Sequence, residues 1–144
     1  MNLTEVTVER AGDGVQLMLE GQPLPAPRDA HLANYVGGPV IVGVRPSDLA
    51  EPIDGHHSGW PTVNVVVDVV EELGTEANVL FRLASPDGGV VGHDTSLVSA
   101  TAVFTATVDA RTRLRAGDRT RLAVDQRRLH LFDTVTGQAI RRSR

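Results

Sequence analysis

The chain has 144 residues, 41% of them hydrophobic, 3% aromatic and 22% charged, with a formal net charge of −4. That is the size of one ordinary domain, with enough apolar mass to bury a core and fold alone. With neither cysteine nor lysine, the sequence excludes a disulfide framework, a thiolate zinc site, a cysteine nucleophile and a lysine Schiff base, and it lacks the lysine a P-loop uses to reach the β- and γ-phosphates.

Taken in chain order, the polar opening Met1-Asn2-Leu3-Thr4-Glu5 carries no basic residue before an apolar stretch and is not read as a secretory signal. Val15, Leu17 and Leu19 alternate with Gln16, Met18 and Glu20, a strand pattern. Gly21, Pro23, Pro25 and Pro27 punctuate 21–28 as a loop. Asp29–Val36 predicts about two helical turns, with Asp29 as N-cap and Gly37 as the stop. Val40, Val42 and Val44 form a short apolar face, and Ser47-Asp48-Leu49 after Pro46 predicts one more helical turn.

The loop 50–61, with Pro52, Gly55, Gly59 and Pro61, separates two strand groups. It divides a single domain, 1–144, into two interleaved small barrel subdomains. In 62–69 every odd position is valine, while Asn64 and Asp68 point the other way, which makes a half-buried strand. Glu71–Glu76 breaks it as a turn, and Ala77, Val79, Phe81 and Leu83 resume the alternation. A third glycine- and proline-rich loop at 85–92 precedes Ala102, Phe104, Ala106 and Val108. Leu122, Val124, Leu129 and Leu131 close the pattern. Many short strands with such punctuation predict an all-β, mainly antiparallel barrel with one or two short helices. No apolar run approaches the roughly 18–20 residues that cross a bilayer.

Charge is unevenly spread. Residues 1–110 hold four arginines against fifteen carboxylates, a balance of −11, and residues 111–144 hold ten arginines against three carboxylates, a balance of +7. A basic segment invites a nucleic-acid partner. Against that, single-strand binding wants stacking aromatics along the groove, and the last 34 residues contain one, Phe132. Compensation of the two parts within the fold is the simpler expectation.

Few residues offer chemistry. His56 and His57 are adjacent but lack a third ligand at metal-binding spacing. His31, His93 and His130 are isolated. Glu71, Glu72 and Glu76 sit at a strand–turn boundary, where solvated carboxylates are ordinary. Trp60, the single tryptophan, is either a loop anchor for a partner or a plug at the barrel's end. Arg45, between a strand and Pro46, is expected as a buried ion-pair partner or corner brace. The residues alone give a β-barrel domain with no catalytic, metal or cofactor site.

Three stretches carry more. Val42-Gly43-Val44-Arg45-Pro46-Ser47-Asp48-Leu49 resembles the GIRPE signature in the C-terminal domain of sugar-importer ATPase subunits, with Ser47 where the family usually has glutamate. Val69–Glu76, which includes Glu72 and Gly74, resembles the VVExLGxE strand and turn. Leu129-His130-Leu131-Phe132-Asp133 through Gly137 and Ile140 resembles the closing LHLFDxxTGxxI segment, preceded by the usual Gly117-Asp118. Segment 85–100 matches loosely. The resemblance implies an OB-fold barrel with a TOBE region, acting as the non-catalytic regulatory and dimerisation domain of the ATP-binding subunit of a carbohydrate or glycerol-phosphate ABC importer.

It further implies a place in the cytoplasm at the inner face of the membrane. The implied partners are a second copy, a parent ATPase domain that binds ATP and Mg, the permease subunits at one remove, and a cytosolic regulatory protein. The ATPase half, with its P-loop, is not in these residues, and no cofactor is expected in this domain. The motif positions marked as interface candidates are Gly43, Arg45, Pro46, Trp60, Glu72, Gly74, His130, Phe132, Asp133 and Gly137. The alternative is a free-standing OB-fold module that binds nucleic acid or a small ligand such as an oxyanion.

Overall fold

A computed structural model describes residues 1–52, 57, 59–84 and 103–142. Among the described residues there are ten strands in two antiparallel five-stranded sheets. The first has the order β10-β4-β1-β2-β3, with β1 Asn2–Ala11, β2 Gly14–Leu19, β3 Gln22–Pro25, β4 Pro39–Val44 and β10 His130–Phe132. The second has the order β5-β9-β6-β7-β8, with β5 Leu49–Ala50, β6 Thr62–Glu72, β7 Glu76–Leu83, β8 Phe104–Asp109 and β9 Arg119–Val124. In the second sheet β8 returns alongside β5 and the turn before it, so the strands curl into a nearly closed barrel. The predicted all-β architecture is present.

Inward-facing residues follow the period of two. Val40, Val42, Val44, Leu17, Leu19 and Leu24 come from the first sheet, and Val63, Val65, Val67, Val79, Phe81, Phe104 and Leu122 come from the second. They form one continuous core. A void of about 30 Å³ remains between the sheets, lined by apolar side chains with Asn2 and Thr4 at one end. It has room for about one water, so the space between the sheets is closely packed among the described residues.

Several expectations need correction. Residues 22–25, read as loop, form β3. Gln22 and Leu24 face inward while Pro23 and Pro25 are exposed, and an edge strand tolerates proline because its outer N–H has no ladder partner. Asp29 does not start a helix. Only Ala33–Tyr35 makes a 3-10 turn, after Leu32, and the Asp29 carboxylate instead accepts from Arg142 Nε at 3.0 Å and Nη2 at 2.8 Å. The predicted turn at 46–49 exists as 3-10 turn Pro46–Asp48, and a third such turn, Gln126–Arg128, was not foreseen. There is no α-helix among the described residues. Val69 departs from its odd-numbered partners: the register shifts between Val67 and Val69, so Asp68 is an extra residue and Val69 turns outward, 44% exposed. The weakly matched segment 85–100 and the residues 53–56 lie outside the described residues.

Two side-chain amides join the sheets. Asn2 Nδ2 donates to Thr105 O at 2.8 Å and Asn2 Oδ1 accepts from Thr105 N at 2.8 Å, so the amide pairs with β8 as a neighbouring peptide would. Gln22, 5% exposed, accepts from Asn64 N at 2.6 Å and donates to Asn64 O at 2.9 Å and to Ala84 O at 2.5 Å. Leaving such buried partners without their bonds costs about 1–3 kcal/mol each. Gln22→Leu keeps the bulk and removes the bonds. It is expected to lower unfolding free energy by about 2–4 kcal/mol, measured by urea denaturation. A change below about 0.5 kcal/mol, within the range of ordinary surface substitutions, contradicts this role.

Candidate functional site

The motif residues do not assemble into one site. Gly43, His130 and Phe132 come together on the outer face of the first sheet. The pairing places His130 beside Gly43 and Gly43 beside Leu3, and in the next row Phe132 beside Ile41 and Ile41 beside Glu5. Alternation points these side chains away from the core, since Val42 and Leu131 in the same ladder are buried. A Cβ on Gly43 would lie 3.0 Å from Leu3 Cδ2 and 3.0 Å from Met1 Sδ. The missing side chain therefore lets the ends of Met1 and Leu3 lie across the sheet. Met1 is 57% and Leu3 53% exposed, and with half-buried Ile41 and Phe132 they make an apolar strip on this face.

Arg45 and Pro46 stand where the chain leaves the first sheet for the second. The expected burial of Arg45 is not found: the residue is exposed, has no ion pair among the described residues, and its backbone carbonyl accepts from Asp48 N at 2.9 Å. Asp48 takes the buried role instead. It and Asp125 are both 5% exposed, and Asp125 N donates to Asp48 O at 3.0 Å. Arg128 approaches Asp48 at 3.6 Å and Arg127 approaches Asp125 at 3.2 Å. Asp125 Oδ1 also accepts from Arg127 N at 3.3 Å and so caps the 3-10 turn. Sequence reasoning missed Asp125. The available signal was an aspartate immediately ahead of the short polar run Gln126-Arg127-Arg128.

Asp133 and Gly137 shape the loop after β10. Asp133 Oδ1 accepts from Val135 N at 2.8 Å and Thr136 N at 2.9 Å, and Oδ2 accepts from the Tyr35 hydroxyl at 2.9 Å. Gly137 adopts φ +72°, a left-handed conformation that favours glycine. Bonds from the Thr136 backbone, the Tyr35 hydroxyl and the Val135 backbone hold the Asp133 carboxyl below its ordinary value, and the same contact raises the Tyr35 hydroxyl. The loop is thereby tied to the 3-10 turn at Ala33–Tyr35.

Glu72 and Gly74 belong to the other sheet. Glu72 is exposed, and Gly74, at φ +95°, takes the tight β6–β7 turn. Trp60 is half-buried, its ring 4.1 Å from that of His57 and tilted by 38°. His56 and His93 lie outside the described residues, and among the described residues no three histidine, cysteine, aspartate or glutamate side chains group as metal ligands. Glu71 and Glu72 are exposed at the end of β6, and Glu76 is exposed at the start of β7.

These features place the chain among known proteins. Residues 1–49 match the model of the MalK OB fold domain. The xylose/arabinose import ATP-binding protein XacK of Haloferax volcanii is 34% identical over 130 residues, 90% of this chain and 28% of that protein. The chain is similar to the MalK-type OB-fold domains, over residues 1–49 by the family model and over most of its length by XacK. The trehalose/maltose import ATP-binding protein MalK of Thermococcus litoralis is 33% identical over 108 residues, which is 74% of the chain and 25% of that protein. The chain thus spans about a quarter of the length of these curated relatives. Its 144 residues contain no lysine, so no P-loop lysine lies within the matched quarter. Among solved structures, the molybdate-binding protein ModG with molybdate bound resembles it with a TM-score of 0.60 at 18% identity, covering 90% of this chain and 94% of that one. That likeness concerns the fold alone.

The lowered Asp133 carboxyl has a pH consequence. A carboxyl whose folded pKa lies below its unfolded value adds stability above the unfolded pKa, and that contribution is lost as pH falls through the folded pKa. Asp133→Ala is expected to lower the melting temperature by roughly 3–5 °C at neutral pH. The gap from the parent chain should narrow as pH falls below the usual carboxylate range. A gap that stays constant on acidification, measured by circular dichroism melting, contradicts the assignment.

Proposed function

We propose that this chain is the non-catalytic regulatory and dimerisation domain of the ATP-binding subunit of a carbohydrate ABC importer, working in the cytoplasm at the inner face of the membrane. The importer names of its relatives support the transport context. The observation that carries the domain's own role is the apolar strip of Met1, Leu3, Ile41 and Phe132 on the outer face of the first sheet. An exposed sheet face that carries an apolar strip suits an isologous contact, in which the same patch is used by both copies.

In this reading, ATP and Mg bind to an ATPase domain beyond these residues, and the residues in hand do not fit a nucleotide because no lysine accompanies any glycine-rich turn. The domain would keep two ATPase parts near each other while they open and close, holding them at high effective concentration. A cytosolic regulatory protein that favoured one state of the pair would change transport by linkage. The permease subunits would be reached only through the ATPase part. The sequence beyond the first 49 residues would supply the TOBE-type portion.

The strip is small, so contact between isolated domains is expected to be weak. Sedimentation velocity across a concentration series should show a monomer–dimer equilibrium. Phe132→Asp should weaken it by about tenfold or more, because a charge buried in the contact loses its hydration. Its circular dichroism spectrum should remain that of the parent chain. A chain that stays monomeric at about millimolar concentration, or a variant that dimerises as well as the parent, sinks the dimer reading.

A further inference from the structure

Strand β6 outruns its neighbour. Its pairing with β9 stops at Val66 opposite Arg119. Val67 is then engaged by Gly117 and Asp118, whereas β6 continues to Glu72. Beyond the bulge at Asp68 the register with β7 is constant from Val69 opposite Leu80 to Glu72 opposite Ala77, and Leu73 N donates to Glu76 O. Bonded and non-bonded pairs alternate in an antiparallel ladder. Val69 and Glu71 therefore turn their backbone groups to β7, and Val70 and Glu72 turn theirs away from it, to an uncovered edge.

That edge borders a groove of about 820 Å³ whose far wall is Thr112–Ala116. Half-buried Val70 and Leu114 line it and pack against the core, and Val69 stands beside them because the bulge turned it outward. Arg113 and Arg115 line the far wall. Both are exposed, and neither guanidinium has a carboxylate partner among the described residues. Asp68 in the same groove is held by Arg82 at 2.8 Å, which leaves Glu72 as the one acid lining it that is not held by another residue's charge.

We propose that this groove takes an extended acidic segment of a partner protein as an added strand. The segment's backbone bonds the N–H and C=O of Val70 and Glu72, its alternate apolar side chains rest on Val70 and Leu114, and its carboxylates meet Arg113 and Arg115. Free peptide groups beside unpartnered cations call for a ligand with a peptide backbone and negative charge. Nucleic acid supplies the charge without the backbone pattern, and the groove lining has no aromatic ring for base stacking. A second copy fits poorly, since the acidic strand β1, with Glu5 and Glu9, is already bonded to β4 through Asn2 to Thr7 and to β2 through Thr7 to Ala11 and has no edge open along its whole length. The site is separate from the strip on the first sheet and does not rest on the importer reading.

The test is a titration of the isotopically labelled chain with the capped peptide acetyl-Glu-Val-Glu-Val-Glu-amide, followed by amide NMR and hydrogen exchange. The Val70 and Glu72 amides are expected to shift and gain protection. Binding should weaken by about tenfold or more in the double variant Arg113→Glu, Arg115→Glu, and also for a peptide N-methylated at both valines. Unmoved amides at about millimolar peptide overturn the proposal, as does equal binding by the double variant with its spectrum otherwise unchanged. Equal binding of the N-methylated peptide removes the added strand. Stronger shifts of the same amides with a short oligothymidylate make the groove a nucleic-acid site instead. Protection that rises with chain concentration alone makes it a self-contact.

Discussion

The fold depends on closing two sheets whose seams the backbone alone does not complete. A sheet edge leaves N–H and C=O groups open, and inside a protein such groups need partners. Here two side-chain amides serve as short substitutes for missing strands. Asn2 answers Thr105 with one donor and one acceptor, and Gln22 does the same for Asn64 while also holding Ala84. An amide side chain is the one neutral group that copies a peptide's donor and acceptor together. A carboxylate at either place would only accept, and a hydroxyl is too short to span both atoms. Once the seams hold, the valine and leucine faces meet over one core and the interior fills.

A filled interior moves function to the surface. The void between the sheets has room for about one water among the described residues, the buried Asp125 carboxylate is engaged by the Arg127 N–H and side chain, and Arg128 approaches buried Asp48 at the switch between sheets. What remains open are two outer faces of different character. The first sheet presents side chains, an apolar strip made possible by the absence of a Cβ at Gly43. The second presents backbone, because β9 is too short to cover all of β6. The first suits a flat contact between surfaces, the second an extended chain.

Much of this was legible in the sequence because a half-buried strand must alternate. Val63, Val65 and Val67, then Ala77 to Leu83, then Phe104 to Val108, are buried as the pattern requires. The failures have physical causes. Val69 has the right residue type at the right spacing, yet one extra residue at Asp68 reverses its face, and nothing local in a run of valines reports a bulge. Prolines mark loops on average, but at Pro23 and Pro25 an edge strand puts them where no ladder bond is lost. Strand β1 escaped notice because only Val6 and Val8 of its ten residues are buried. Of the motif residues, Gly43, His130 and Phe132 became neighbours through strand pairing, whereas Arg45 is exposed and its anticipated role fell to Asp48. Side-chain partners more than a hundred residues apart, such as Asn2 with Thr105 or Asp29 with Arg142, leave no mark that a single sequence can show.

The charge asymmetry has a similar resolution. A basic final quarter invites a nucleic-acid reading, but some of its exposed arginines are engaged by the chain itself. Arg142 spans from the C-terminal segment to Asp29 and also donates to the Arg127 and Leu129 carbonyls, while Arg128 reaches Asp48. Ion pairs this exposed add little stability singly. Their effect is directional, because a planar guanidinium fixes the angle at which two segments meet. Arg142 thereby lays residues 139–142 against the segment around Ala30, where the two backbones also bridge. Arg142 thus clasps the segment that follows β10 to the segment around Asp29 and Ala30. Strand β10 carries Phe132 and His130, so the clasp holds the chain that follows the outer face on which the proposed contact between copies depends.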